Sequence, residues 1–208
     1  GDVYKRQLYD GIKGWFRRIN AYGERRGILV EHYIISSGLR EIIEGTAIAK
    51  DFTHIYASSF YYNEHGEPCW PAQVINYTNK TQFLFRIEKG ILDINDNAVN
   101  DHFAEGELRV PFRNIVYIGD SATDIPCMRL VNSLGGHSVG VYDSENTDSK
   151  DTVRRMIRDE RIRYYVPADY TKGSEMDTLM HRIIDKTAAY EVLEEKHLRD
   201  RKEAMAKY

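Results

Sequence analysis

The sequence predicts an α/β protein built on a mostly parallel sheet, and three observations carry the reading. Short apolar runs recur, Tyr33-Ile34-Ile35, Ile115-Val116-Tyr117-Ile118 and Val139-Gly140-Val141-Tyr142, each beside Gly, Ser or Asp. Stretches with apolar residues three and four apart lie between them, the period of a helix with one buried face. Strands that alternate with helices form βαβ units, whose strands run parallel.

Taken in order, Ile12, Trp15, Phe16, Ile19 and Tyr22 sit among charged residues and predict a helix over 11–26, stopped at Gly27. Tyr33-Ile34-Ile35 is a buried strand that runs into Ser36-Ser37-Gly38, and Leu39 to Ala49 reads as the next helix. Residues 53–62 are extended, Asn63-Glu64-His65-Gly66 is a hairpin turn, and Val74-Ile75-Tyr77 is the expected return strand. Asn79 is placed to cap a helix over 80–89. Residues 90–112 are polar and aperiodic, a surface excursion. A strand over 115–118, a helix over 126–131, a strand over 138–142, a helix over 150–160, a strand over 163–167 and a charged helix from Glu175 complete the chain. We expect an α/β core over 8–175 and a C-terminal charged helix over 176–208, packed on that core or extending from it. The last 18 residues read as a solvated helix laced by i,i+4 pairs, with a partner-binding helix as the alternative.

Composition narrows the function. Among 208 residues, 29 Lys and Arg face 32 Asp and Glu, so no global field draws the chain to nucleic acid or anionic lipid. Arg17, Arg18, Arg25 and Arg26 cluster, but acids balance the basic residues elsewhere. Hydrophobic residues at 42 % suffice for a core. No run approaches a membrane span, and residues 1–7 contain no apolar signal segment. Cys69 and Cys127 form no C-x-x-C pair and are too few for a disulfide framework, so a reducing, cytoplasmic setting is the default. The seven His show no ligand spacing for zinc. The chain does not begin with Met, and we expect sequence upstream of it. Oligomeric state is not legible.

Ligands of parallel α/β sheets bind beyond the carboxyl ends of the strands. Three short polar segments fall at such points. Ser36-Ser37-Gly38 follows a strand, where a hydroxyl and free amides cradle an anion; the alternative is an ordinary Ser N-cap. Lys80 opens a helix, where a lone Lys by itself reads as solvent-facing. Gly119-Asp120-Ser121-Ala122-Thr123-Asp124 follows an apolar strand. Its two carboxylates either converge on a hard cation such as Mg²⁺, which needs only one or two, or belong to a turn capping the next helix.

Strand-Ser, helix-Lys and strand-Gly-Asp-x-x-x-Asp, in that order, resemble motifs II, III and IV of the haloacid dehalogenase-like (HAD) superfamily, most closely its phosphoserine-phosphatase-like branch. Ser36-Ser37-Gly38 stands where that branch has Ser-Gly-Gly, and Thr123 stands where Asn is common. The helix carrying Gly11, Trp15 and Phe16 resembles the one before motif II, so the likeness covers roughly residues 10–170. The resemblance implies a three-layer, Rossmann-like core and a Mg²⁺-dependent phosphomonoesterase that acts through an aspartyl-phosphate on a small phosphorylated metabolite. Carried over by position, Ser36, Ser37, Gly38 and Lys80 bind phosphate. Lys80, Asp120 and Asp124 are catalytic, Asp120 ligates Mg²⁺, and Asp124 ligates it or orients its water.

Motif I, the Asp-x-Asp-x-Thr or Val that supplies nucleophile and general acid/base, has no counterpart. Asp2-Val3-Tyr4 has Tyr for the second Asp, and Asp93-Ile94-Asn95-Asp96 lies after motif III with no strand before it. The chain therefore reads as a body whose first strand and cap are missing, inactive as given. Removing that central strand is expected to leave two sheet edges without partners. Between Ser36 and Lys80 there is no room for a large cap. Two other readings stay open: a non-catalytic HAD-like protein that binds phosphate and Mg²⁺, and an unrelated doubly wound binding domain.

Overall fold

The structure, a computed structural model, describes residues 8–206 and has the expected mixed α/β architecture. Residues 1–7, including Asp2-Val3-Tyr4, lie outside the described part. The chain groups into two compact units, 32–168 and a second that joins 1–31 to 169–208. The division expected at residue 175 differs from this, because the N-terminal helix groups with the C-terminal one.

In the 32–168 unit, β1 (Tyr33–Leu39) pairs in parallel with β2 (His54–Tyr62), which turns back antiparallel into β3 (Pro68–Gln73). Asn63 Oδ1 closes the hairpin by accepting the amides of His65 and Glu67 at 2.9 Å each, and Gly66 supplies the left-handed residue. The return strand lies earlier than Val74-Ile75-Tyr77. Pro68 and Pro71 argue against a strand in sequence, yet β3 is the outer strand of its sheet, where a missing N–H costs no ladder bond. Beyond Ser58, β2 has β3 as its only ladder partner among the described residues, so Tyr61 and its opposite number Trp70 stand on a two-stranded ribbon, both exposed.

The second sheet is wholly parallel. β4 (Val116–Gly119), β5 (His137–Tyr142) and β6 (Tyr164–Pro167) pair in that order. All six positions of the central β5 are buried, as a strand covered on both faces requires. Two three-stranded sheets therefore replace one continuous sheet. Among the described residues β1 pairs only with β2, and β4 only with β5, so each leaves one edge outside a ladder.

The helices α2 (Arg40–Glu44), α3 (Thr81–Lys89), α4 (Ile125–Ser133) and α5 (Thr147–Arg158) belong to this unit. One apolar cluster joins Leu84 of α3, Tyr117 of β4, Cys127, Met128 and Val131 of α4 and Val153 and Met156 of α5, with Ile35 of β1 packed against it. A second joins Tyr56, Ile75, Phe83 and Ile87. α2 is shorter than the Leu39–Ala49 reading, since Gly45 closes it after five residues. Asn79 does not cap α3. Its Oδ1 accepts the Asn76 amide at 2.9 Å and its Nδ2 donates to the Val74 carbonyl at 2.8 Å, holding the approach loop instead. The 90–112 excursion is tied down by two cations of α3. Buried Arg86 donates to the carbonyls of Asp93, Ile94 and Asp96, and Lys89 Nζ to those of Val99 and Asp101.

In the other unit, α1 (Ile12–Glu24) and α6 (Glu175–Met205) pack together. Trp15, Phe16 and Ile19 are buried on α1, and Met176, Met180, Ile183 and Ile184 on α6. Ser174 caps α6 by accepting the Asp177 amide at 3.2 Å. Tyr22 stacks on His181 at 3.8 Å and donates to Asp185 at 2.9 Å. The last turns of α6 are exposed and carry the Lys196–Asp200 i,i+4 pair at 2.6 Å.

Candidate active site at Lys80 and the Gly-Asp loop

Lys80 and Asp124 are 44 positions apart in sequence, and the fold brings them together. Lys80 immediately precedes α3, and Asp124 ends the loop between β4 and α4. Lys80 Nζ donates to Asp124 Oδ1 at 2.7 Å, and both side chains are buried, with residue exposures of 5 % and 7 %. A solvent-facing Lys is therefore not what this position holds. Removing either partner of such a pair leaves an uncompensated charge away from water, which costs several kcal/mol.

The same oxygen takes a second bond. Tyr117, on β4, donates its hydroxyl to Asp124 Oδ1 at 2.9 Å. Burial and the neighbouring Asp124 charge both push the Tyr117 hydroxyl far above its ordinary pKa, so it stays a donor. The Cys127 thiol is in hydrogen-bond contact with Tyr117, and burial raises its pKa to about 11, which keeps it neutral. Asp124 Oδ2 accepts the Ser121 hydroxyl at 3.1 Å, and Ser121 Oγ lies 2.7 Å from Thr123 Oγ1. Thr123, in the place where the family commonly has Asn, is thus held by the loop itself.

Gly119 is part of this construction. A Cβ there would come within 2.8 Å of Asp124 Cβ, Cγ and Oδ2, so the strand must end in glycine for the carboxylate to lie against it.

The other predicted residues stand as follows. Asp120 is exposed at the tip of β4 and makes no hydrogen bond or ion pair among the described residues. Neither Asp120 nor Asp124 caps a helix through its side chain. Ser36 is half-buried, while Ser37 and Gly38 are exposed. Ser36 is not an N-cap: Leu39 occupies that position before α2. The Gly38 amide is already spent, donating to Ser36 Oγ at 3.0 Å, and α2 is too short to contribute much of a helix terminus. The Ser36 hydroxyl keeps a proton to donate, and the Ser37 carbonyl is fixed by Ser58 Oγ at 3.2 Å. Among the described residues no hydrogen bond joins Ser36 or Asp120 to the Lys80–Asp124 pair.

Comparison with known proteins decides the family. The family described as haloacid dehalogenase-like hydrolase matches residues 1–129, more than half of the chain. The chain belongs to the haloacid dehalogenase-like hydrolases. It is also similar to a protein of Borreliella burgdorferi described as an uncharacterized protein, 25 % identical over 192 residues. That match covers 83 % of this chain and 65 % of the relative, so the chain spans less than two thirds of the relative's length. Tyr117 and Ser121 escaped the reading from sequence. Tyr117 counted as one apolar residue of a strand, and only its place three residues before Asp120, on the same inner run, hinted at more.

The oxygen chemistry of the loop fits a hard divalent cation. Asp120 is an accessible carboxylate, Asp124 retains unused acceptor capacity at Oδ2, and Mg²⁺ keeps several waters of its own. Among the described residues no group of three or more His, Cys, Asp or Glu side chains is placed to hold a metal ion.

Proposed function

We propose that this chain is the phosphate- and Mg²⁺-binding body of a phosphomonoesterase of the phosphoserine-phosphatase-like branch, acting on a small phosphorylated metabolite in the cytoplasm. The observation that carries the reading is the buried Lys80–Asp124 contact at the end of β4, beside the accessible Asp120. A burial of opposite charges at a strand tip is costly as architecture alone, and it is what transfer of an anionic group requires.

In this reading Ser36 donates its hydroxyl to a phosphoryl oxygen and Lys80 neutralises charge on the transferring group. Mg²⁺, when bound, stabilises the same charge. Asp120 holds that cation, and Asp124, with three hydrogen bonds already on it, keeps Lys80 in place and orients a water or one ligand position. The nucleophile is a carboxylate absent from these motifs. We place it on a strand between the edges of β1 and β4 that lie outside a ladder among the described residues, both strands standing on one apolar core through Ile35 and Tyr117. Its oxygen bonds phosphorus as the ester P–O bond breaks and the alcohol leaves with a proton from the second carboxyl of the same strand; water, giving that proton back, then attacks phosphorus, and inorganic phosphate and the free carboxylate result. Without that strand the chain is inactive.

The test is hydrolysis of p-nitrophenyl phosphate by the protein extended upstream to include the strand. The expected result is turnover that needs Mg²⁺ and falls about a hundredfold or more in Asp120→Asn, since the metal's charge stabilisation is worth several kcal/mol. Turnover indifferent to both would overturn the reading, and absence of turnover with retained Mg²⁺ binding would favour the non-catalytic alternative.

A further inference from the structure

Resting on that reading, we propose that Tyr117 is a positioning residue of the site: with Lys80 it fixes Asp124 through Oδ1 and so reserves Oδ2 for the cation or its water. Counting acceptors gives the argument. An ionised carboxylate has about four lone-pair positions, two on each oxygen. Lys80 Nζ at 2.7 Å and the Tyr117 hydroxyl at 2.9 Å use both positions of Oδ1. Ser121 Oγ, at 3.1 Å, uses one of the two on Oδ2. One lone pair remains, on the oxygen nearer the Gly-Asp loop. The carboxylate cannot swing to exchange its oxygens, because both Oδ1 donors are buried and Gly119 lies against its Cβ and Cγ.

A packing role alone does not account for the hydroxyl. Phe would fill the same space among Met128, Val131 and Leu84, and a buried hydroxyl is retained at a cost unless it is bonded. Tyr117 spends that hydroxyl on the one oxygen Lys80 also holds. Outer-sphere partners that orient a metal-binding carboxylate change metal affinity by roughly ten- to a hundredfold when lost.

The experiment titrates the 208-residue chain with Mn²⁺ alone, counting free Mn²⁺ by electron paramagnetic resonance, and compares the unaltered chain with Tyr117→Phe and Asp120→Asn. The proposal expects Tyr117→Phe to weaken Mn²⁺ binding about tenfold at a temperature where the variant is folded. A purely structural role would lower its melting temperature and leave the Kd of the folded form unchanged, and that result overturns the proposal while the functional reading stands. If the unaltered chain fails to bind Mn²⁺, or Asp120→Asn binds it equally well, the functional reading fails and this proposal with it. Should Tyr117→Phe not fold, the unaltered chain decides: the ring signals of ¹³C-labelled Tyr117 are expected to shift on Mg²⁺ addition and to stay put in Asp120→Asn, and no shift overturns the proposal.

Discussion

At the scale of residues, the site depends on what each side chain spends its bonding capacity on. Gly119 illustrates this. Alanine there would drive a methyl group to 2.8 Å from the stem of Asp124, which has no flexible end to yield. Gly119→Ala is expected to cost about 1–3 kcal/mol in urea unfolding and to weaken Mn²⁺ binding as well. A second prediction concerns His32. Burial holds its pKa down to about 4 against an ordinary 6.5, with Asp51 opposing the shift. The unfolded chain therefore takes up a proton between those values that the folded chain refuses. Stability is complete above about pH 6.5 and is lost as pH falls toward 4, by about 2 kcal/mol at most near pH 5. Unfolding measured at pH 7 and pH 5 should show the loss, and His32→Gln should shrink the difference by about that amount, leaving the part due to His54, whose pKa burial also lowers. Lys80 and Asp124, which the structure joins, stood out in the sequence because they lie at element ends in a recognisable order. Tyr117 did not, because a tyrosine within an apolar run carries no mark of where its hydroxyl points.

At the scale of elements, periodicity found the amphipathic helices and buried strands, and it failed where local chemistry was redirected. β3 was misplaced because its prolines are tolerated only at an edge, and edge position is a property of the sheet. Asn79 reads as a cap, yet its side chain is committed to Val74 and Asn76. The 90–112 excursion shows no period because its order comes from outside it, from Arg86 and Lys89 on α3. Arg86→Met should leave three carbonyls without their donor and cost about 3 kcal/mol, with faster amide exchange confined to the excursion. A change spread through β1 and β2 instead would mean that Arg86 acts on the sheet.

At the scale of the whole molecule, the split sheet is the feature that joins fold to function. A βαβ reading predicts parallel strands but not which strands are neighbours, so the two separate ladders, β1-β2-β3 and β4-β5-β6, had to come from the structure. A strand seated against the edges of β1 and β4 that no ladder occupies among the described residues would add ladder bonds and complete the core. The 208-residue chain alone is thus expected to melt about 10 °C or more below the protein that includes such a strand, since each kcal/mol is worth a few degrees at this size. Equal melting temperatures would mean that the two edges need no partner. The most direct measurement is the coding sequence upstream of Gly1. An in-frame apolar strand ending in Asp-x-Asp-x-Thr or Val, the proposed source of nucleophile and acid/base, is expected there. A start codon at Gly1, or an upstream frame with no such strand, would contradict that expectation.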